Sequence, residues 1–185
     1  MRKIILLIAA LLLLITACEK KEEKGAWTIL VYMAADNGLS QNADIDINEM
    51  EAASFPADIQ VVVQIDRPAS APEPDAVRYH ITHDETDTVV SPVVSSLGEI
   101  NSADWVRLTE FVNWGIGEYP AENYALVIWS HGNGWYRNQT QWICMDNDVP
   151  EGSTCKIEIA NGELCSAFAA FESLMDIVIF DACNM

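Results

Sequence analysis

The sequence predicts an α/β fold: a mainly parallel sheet flanked by helices on both faces. Apolar runs rich in strand formers occur at 27–34, 58–66, 124–130 and 177–180. They are nearly continuous rather than alternating, as expected of strands buried on both faces. Stretches of helical periodicity separate them, giving the alternation of strands and helices that marks this class.

Met1-Arg2-Lys3 precedes an unbroken apolar run from Ile4 to Ile15. Positive charge, a short apolar stretch and small residues after it form an export signal. Permanent spanning needs about 20 apolar residues, more than this run supplies. Ile15-Thr16-Ala17-Cys18 resembles a bacterial lipobox, so residues 1–17 read as a lipoprotein signal peptide and Cys18 as the lipidated residue. Residues 18–26 form a charged tether without apolar periodicity.

The first core strand, 27–34, ends at Asp36-Asn37-Gly38. Residues 40–54 follow as a helix, with Ile45, Met50 and Ala53 among its apolar positions. The second strand is 58–66, and 67–75 is a proline-rich loop. We expect a strand at 76–83 and an extended piece at 89–94. Ser102 reads as the N-cap of a helix carrying Trp105, Leu108, Phe111, Val112 and Ile116, with Gly117 and Pro120 closing it. The third core strand is 124–130. A polar stretch, 131–160, contains a hairpin around 142–145 and 156–159. Asn161 caps a helix reaching Leu174, and 177–180 is the fourth core strand.

In open parallel sheets, ligands bind beyond the carboxyl ends of the strands. The third core strand ends Ser130-His131-Gly132-Asn133-Gly134, and the fourth ends Asp181-Ala182-Cys183-Asn184. An imidazole and a thiol thus follow two successive core strands. A thiolate is the nucleophile, and a neighbouring imidazole can take its proton and later protonate a leaving amine. The N–H groups of Gly132 and Cys183 are candidates for an oxyanion hole. His131 precedes Cys183 by 52 residues, close to the spacing of about 50 seen in caspases.

Several segments together resemble the clostripain family of cysteine peptidases, relatives of caspases and gingipains. They are W-T-I-L-V-Y-M-A-A-D-N (27–37), D-I-N-E-M-E (46–51), V-V-V-Q-I-D-R (61–67), Y-A-L-V-I-W-S-H-G-N-G-W (124–135) and F-D-A-C-N-M (180–185). The resemblance implies a caspase-like sheet, with His131 as general base and acid and Cys183 as nucleophile. It implies Asp181 in an S1 pocket selecting Arg or Lys, and calcium as a candidate cofactor, since some members need it. Self-cleavage between His131 and Cys183 is also a family habit. Lys156 and Arg137 are the basic residues of that span, and Lys156 is the favoured point. Asn184 stands where an apolar residue is expected. The family continues beyond the nucleophile, so 27–185 reads as the N-terminal part of a peptidase domain, truncated after Cys183, and inactive alone.

Acids outnumber bases 28 to 10, and removing Arg2 and Lys3 leaves 8 bases. That field repels nucleic acid and favours basic substrates. The expected partners are therefore peptides with Arg or Lys at P1, and a membrane through the N-terminal lipid. The expected location is the bacterial cell envelope, outside the cytoplasm. The competing reading is a non-catalytic binding lipoprotein, or an inactive remnant, on the same scaffold. His80 and His83 would face opposite sides of a strand, so no metal site is expected there. Asp146, Asn147, Asp148 and Glu151 form an oxygen-rich turn that reads as solvated rather than calcium-bound, without EF-hand spacing. Cys144, Cys155 and Cys165 show no readable pairing. Ser130 lacks a nucleophile elbow.

Overall fold

The computed structural model describes residues 24–134 and 140–185. The elements are β1 (Gly25–Ala34), α1 (Ser40–Ala52), β2 (Ile59–Asp66), β3 (Ala76–His80), β4 (Val93–Gly98), α2 (Trp105–Glu118), β5 (Ala121–Ser130), β6 (Trp142–Met145), β7 (Lys156–Glu158), α3 (Glu163–Ala169) and β8 (Ile177–Ala182). Six strands form one sheet in the order β4-β3-β2-β1-β5-β8, and β6-β7 is a separate hairpin. β1, β2, β5 and β8 are parallel, while β3 and β4 add an antiparallel edge. The predicted signal peptide, Cys18, most of the tether and Arg137 lie outside the described residues.

The central strands are apolar on both sides because both faces are covered. Leu30, Tyr32, Ala34, Leu126 and Ile128 pack with Leu108, Phe111 and Val112 of α2 and with Leu164 and Ala167 of α3. On the opposite face Val31, Met33, Val61, Val63 and Ile65 pack with Ala43 and Ile47 of α1. Burying one large aliphatic side chain contributes about 1.5–3 kcal/mol, so these two layers dominate the stability of the sheet.

Several boundaries differ from the expected ones, most by one to three residues; four of the differences have a physical reason in the bonds around them. Strand β3 stops at His80 and β4 begins at Val93. Between them, the N–H groups of Val90 and Ser91 donate to the buried Glu51 carboxylate at 3.0 and 2.6 Å. That segment is committed to α1, not to a strand ladder. The N-cap of α2 is Asp104, whose carboxylate accepts from Val106 N–H at 2.9 Å. Ser102 is drawn away to Asp146 instead, through its N–H at 2.7 Å and its hydroxyl at 3.1 Å. Helix α3 ends at Ala169, short of Leu174. The Asn113 amide there donates to Ala170 C=O at 3.0 Å and accepts from Glu172 N–H at 2.9 Å, closing the chain into a turn. Asn161 stands one residue before the α3 N-cap, Gly162, and accepts from Glu163 N–H at 3.1 Å.

Candidate active site

Strands β5 and β8 are parallel neighbours, and their last registered pair is Ser130 with Ala182. His131 and Cys183 are the next residues on these two strands, whose axes lie about 5 Å apart. His131 is half-buried and Cys183 is exposed as a free thiol. The two chains meet closely just beyond the sheet. A Cβ on Gly132 would lie 3.1 Å from both Ala182 Cβ and Cys183 O. A side chain there would crowd β8, which would have to give by a few tenths of an ångström. Asn184 has φ 57°, a left-handed conformation that asparagine tolerates better than the apolar residue expected at this position.

The loop after β5 is pinned from two sides. Ser130 is buried, its hydroxyl donating to Ala34 C=O at 2.7 Å and accepting from Met145 N–H at 3.3 Å. This explains the serine as a clamp between β1, β5 and the β6-β7 hairpin. Asn133 N–H donates to Trp142 C=O at 2.9 Å, beside a bridge between Gly132 and Ile143. On the other side, the His131 imidazole Nε2 lies 4.0 Å from where a Cβ on Gly38 would sit. The loop after β1 thus borders the imidazole.

Asp181 is exposed and registers with Trp129 on β5. It opens on a groove of about 490 Å³ on the α1 side of the sheet, with Val127, Trp129, Met50 and Phe55 among its walls. Asp46 of α1 lines the same groove and accepts from the Trp129 indole N–H at 2.7 Å. Lys156 opens β7, opposite Met145, with its ammonium 4.2 Å from the Trp142 ring centre.

His80 and His83 each have a partner of their own: His80 Nε2 is 2.7 Å from Gln60 Oε1, and His83 Nδ1 is 3.0 Å from Glu51 C=O. Cys144, Cys155 and Cys165 are free thiols, the first buried. Burial raises the Cys144 pKa far above its ordinary value and makes it a poor nucleophile.

Sequence reasoning named Asp146 only as part of a solvated turn and did not join it to Asp36 and Glu99. Asp36 after β1, Glu99 after β4 and Asp146 after β6 each offer an oxygen within 4.8 Å of the other two. Asp66, the last residue of β2, is buried close by. Its carboxyl is pushed up to about 8, chiefly by burial, with Asp146, Glu99 and Asp36 adding repulsion and Ser102 opposing it. Desolvation and neighbouring carboxylates push Asp36 up to about 6 and Glu99 up to about 7. Asp146 is fully buried, against the expectation of a solvated turn. Asp148 instead accepts weakly from Ala69 N–H at 3.4 Å, and Glu151 is exposed. A carboxylate at the end of two core strands was the available signal.

A sheet of this topology, with helices on both faces and its loops gathered at the carboxyl ends of β1, β5 and β8, defines the caspase-like class of α/β proteins. The clostripain family model matches residues 31–185, and the chain belongs to that family. A secreted C11 cysteine protease from Bacteroides thetaiotaomicron, solved with an irreversible peptide inhibitor, is 30% identical with a TM-score of 0.65. The match covers 87% of this chain and 43% of that one. An inactive zymogen C11 protease from Parabacteroides distasonis is 28% identical with a TM-score of 0.60, covering 86% of this chain and 43% of its own. A B. fragilis cysteine protease is 29% identical with a TM-score of 0.51, covering 70% of this chain and 98% of its own. The chain therefore spans less than half the length of the first two. No curated protein matches it.

Proposed function

We propose that the whole protein is a lipid-anchored, extracytoplasmic cysteine endopeptidase that cleaves after Arg or Lys. The observation that carries the reading is the adjacency of β5 and β8, which sets His131 and Cys183 at successive positions past the Ser130–Ala182 pair. His131 takes the thiol proton, and the Cys183 thiolate attacks the scissile carbonyl carbon. The oxyanion is held by the N–H groups of Gly132 and Cys183. As the C–N bond breaks, the imidazolium returns the proton to the leaving amine. Water, deprotonated by the same imidazole, then cleaves the thioester and restores the thiol.

Membership in a peptidase family and likeness to a secreted relative support the class and the compartment. The lipobox-like run ending at Cys18 supports the anchor. Asp181 is the proposed S1 carboxylate, pairing with guanidinium or ammonium at P1. Lys156 is the favoured self-cleavage point over Arg137. Because it pairs with Met145, cutting there requires the β6-β7 hairpin to open.

The test uses the whole protein with Arg and Lys peptides. Cys183→Ala and His131→Ala should each lower turnover by several orders of magnitude, and the double variant should be little worse, because the pair acts as a unit. Full activity in Cys183→Ala would reject the mechanism. Incubating the Cys183→Ala form with active enzyme should yield a new terminus after a basic residue, read by mass spectrometry. A terminus after a non-basic residue would contradict the specificity.

A further inference from the structure

We propose that Arg67 and Asn48 hold the main chain of a substrate peptide several residues past the scissile bond, in a pocket on the flank of α1 opposite to Asp181. Which segment of the substrate binds there rests on the peptidase reading; what the pocket binds does not. Arg67 and Asn48 line one pocket of about 500 Å³, with Ile45, Pro72 and Val89 among its other walls. Each keeps one buried polar atom, Arg67 Nη1 and Asn48 Oδ1, without a hydrogen-bond partner among the described residues. The Arg67 side chain is only 3% exposed. The rest of its guanidinium is engaged. Nε and Nη2 donate to Asp44 Oδ1 at 3.0 and 2.5 Å, and Nη2 reaches the Tyr79 hydroxyl at 3.5 Å. A buried donor or acceptor left unpaired costs free energy. Here one of each belongs to the walls of the same pocket.

That pairing selects the ligand. It must accept from Arg67 and donate to Asn48. A simple anion cannot donate, and the pocket disfavours one. Asp44 already balances the Arg67 charge, and the exposed carboxylates of Glu73 and Asp87 line the same pocket. In an extended peptide, one residue presents its N–H and C=O on the same edge, as in paired strands. Its C=O can take the free Arg67 N–H while its N–H meets Asn48 Oδ1. A side chain of the peptide then rests against Ile45, Pro72 and Val89.

The register places this pocket relative to the reaction. Met33 pairs with Ile65 on one side and Trp129 on the other, so β1, β2 and β5 share one level. Arg67 stands one residue past the Ala34–Asp66 pair, as His131 and Cys183 stand one past the Ser130–Ala182 pair. The strand order β2-β1-β5-β8 sets His131 between Cys183 and Arg67. With neighbouring strands about 4.8 Å apart, Arg67 lies roughly 14 Å along the sheet edge from Cys183. His131 protonates the leaving amine in the proposed mechanism, so the chain after the scissile bond departs on the His131 side. At about 3.4 Å per residue, an extended chain needs about four residues to cover that distance.

The test compares two C-terminally amidated substrates with the same P1 Arg, one carrying a single residue after the scissile bond and the other six uncharged residues. In the parent protein the longer one should have kcat/KM about tenfold higher, the worth of hydrogen bonds to otherwise unpaired buried groups. Asn48→Leu removes the acceptor, and Thr88→Trp fills the pocket from its exposed rim. Each should bring the long-to-short ratio close to one. Asn48→Leu should do so without lowering Tm, since it deletes a buried acceptor that has no partner. A second arm needs no catalysis. The labelled six-residue product peptide is titrated onto the Cys183→Ala form and followed by fluorescence anisotropy. Its Kd should rise about tenfold with either pocket substitution added, and excess acetate should not displace it. No cleavage of either substrate, with binding that still depends on Asn48 and Thr88, would reject the peptidase reading and support the pocket. No binding, binding indifferent to both substitutions, or displacement by acetate would overturn the pocket whatever the kinetics. A long-to-short ratio of one in an active parent would overturn its place past the scissile bond.

Discussion

Asp181 and Cys183 are two residues apart at the end of β8, and the register of β8 with β5 turns Asp181 toward Trp129 and the groove beside α1. On the proposed specificity, a basic P1 side chain entering that groove would meet a carboxylate at the rim and apolar walls beneath, which suit the long stems of Arg and Lys. Arg gains more, since its planar fork can make two bonds to one carboxylate. Asp181→Asn keeps the size and one acceptor but removes the charge. Because Asp181 is exposed in the free chain, we take the low end for a paired interfacial charge, about 2 kcal/mol, or roughly 30-fold in kcat/KM. The loss should fall on Arg and Lys substrates and spare a neutral P1. Steady-state kinetics on a matched peptide set checks this, and an equal loss on every substrate would make Asp181 structural.

At the scale of elements, legibility tracked burial. Strands β1, β2 and β5 were readable because both faces are covered, which turns them into unbroken apolar runs. Strand β4 was not, since it is an edge strand with Val93 and Val94 exposed and shifts in its register with β3. Its start is set by a long-range bond from Glu51, which no local pattern encodes. The same holds for Ser102. A serine before an apolar periodic run is a good N-cap signal, yet here Asp146, 44 residues away, captures it and leaves the cap to Asp104. The order of His131 and Cys183 at strand ends was legible, because strand ends and a parallel sheet suffice to bring them to one edge. The four-carboxylate cluster was not: its members come from four separate elements, and only the packing of the separate β6-β7 hairpin against the ends of the main sheet draws them together. Gly132 is a further case. Sequence suggested backbone access to a substrate, and the contact distances add a packing reason, the close approach of β8.

For the molecule as a whole, location and charge act together. Lipidation at Cys18 would hold the domain at a membrane by several acyl chains, each CH₂ contributing about 0.8 kcal/mol. Cys18→Ala should block incorporation of an acyl label and leave the precursor uncleaved, and normal labelling in that variant would end the anchor. Without Arg2 and Lys3, the anchored chain carries 28 acids against 8 bases, a formal net charge near −20. At about 10 mM salt the Debye length is about 30 Å, so this excess acts over the dimensions of the domain and draws cationic peptides toward it. At about 150 mM it shrinks to about 8 Å, and only groups near the encounter site are felt. For the proposed peptidase, kcat/KM on a multiply basic peptide should therefore fall several-fold between these two conditions. A peptide with the same P1 Arg and compensating acids elsewhere should change much less. Asp181→Asn separates the local charge from the global one. It should lower kcat/KM on both Arg peptides while leaving their salt slopes nearly unaltered, because one charge among 28 acids barely changes the long-range field. Two readouts decide it: the slope of log kcat/KM against salt for each peptide, and Tm over the same range to separate encounter from folding. Equal slopes for the basic and compensated peptides would mean that salt acts on the enzyme rather than on the approach of its substrate.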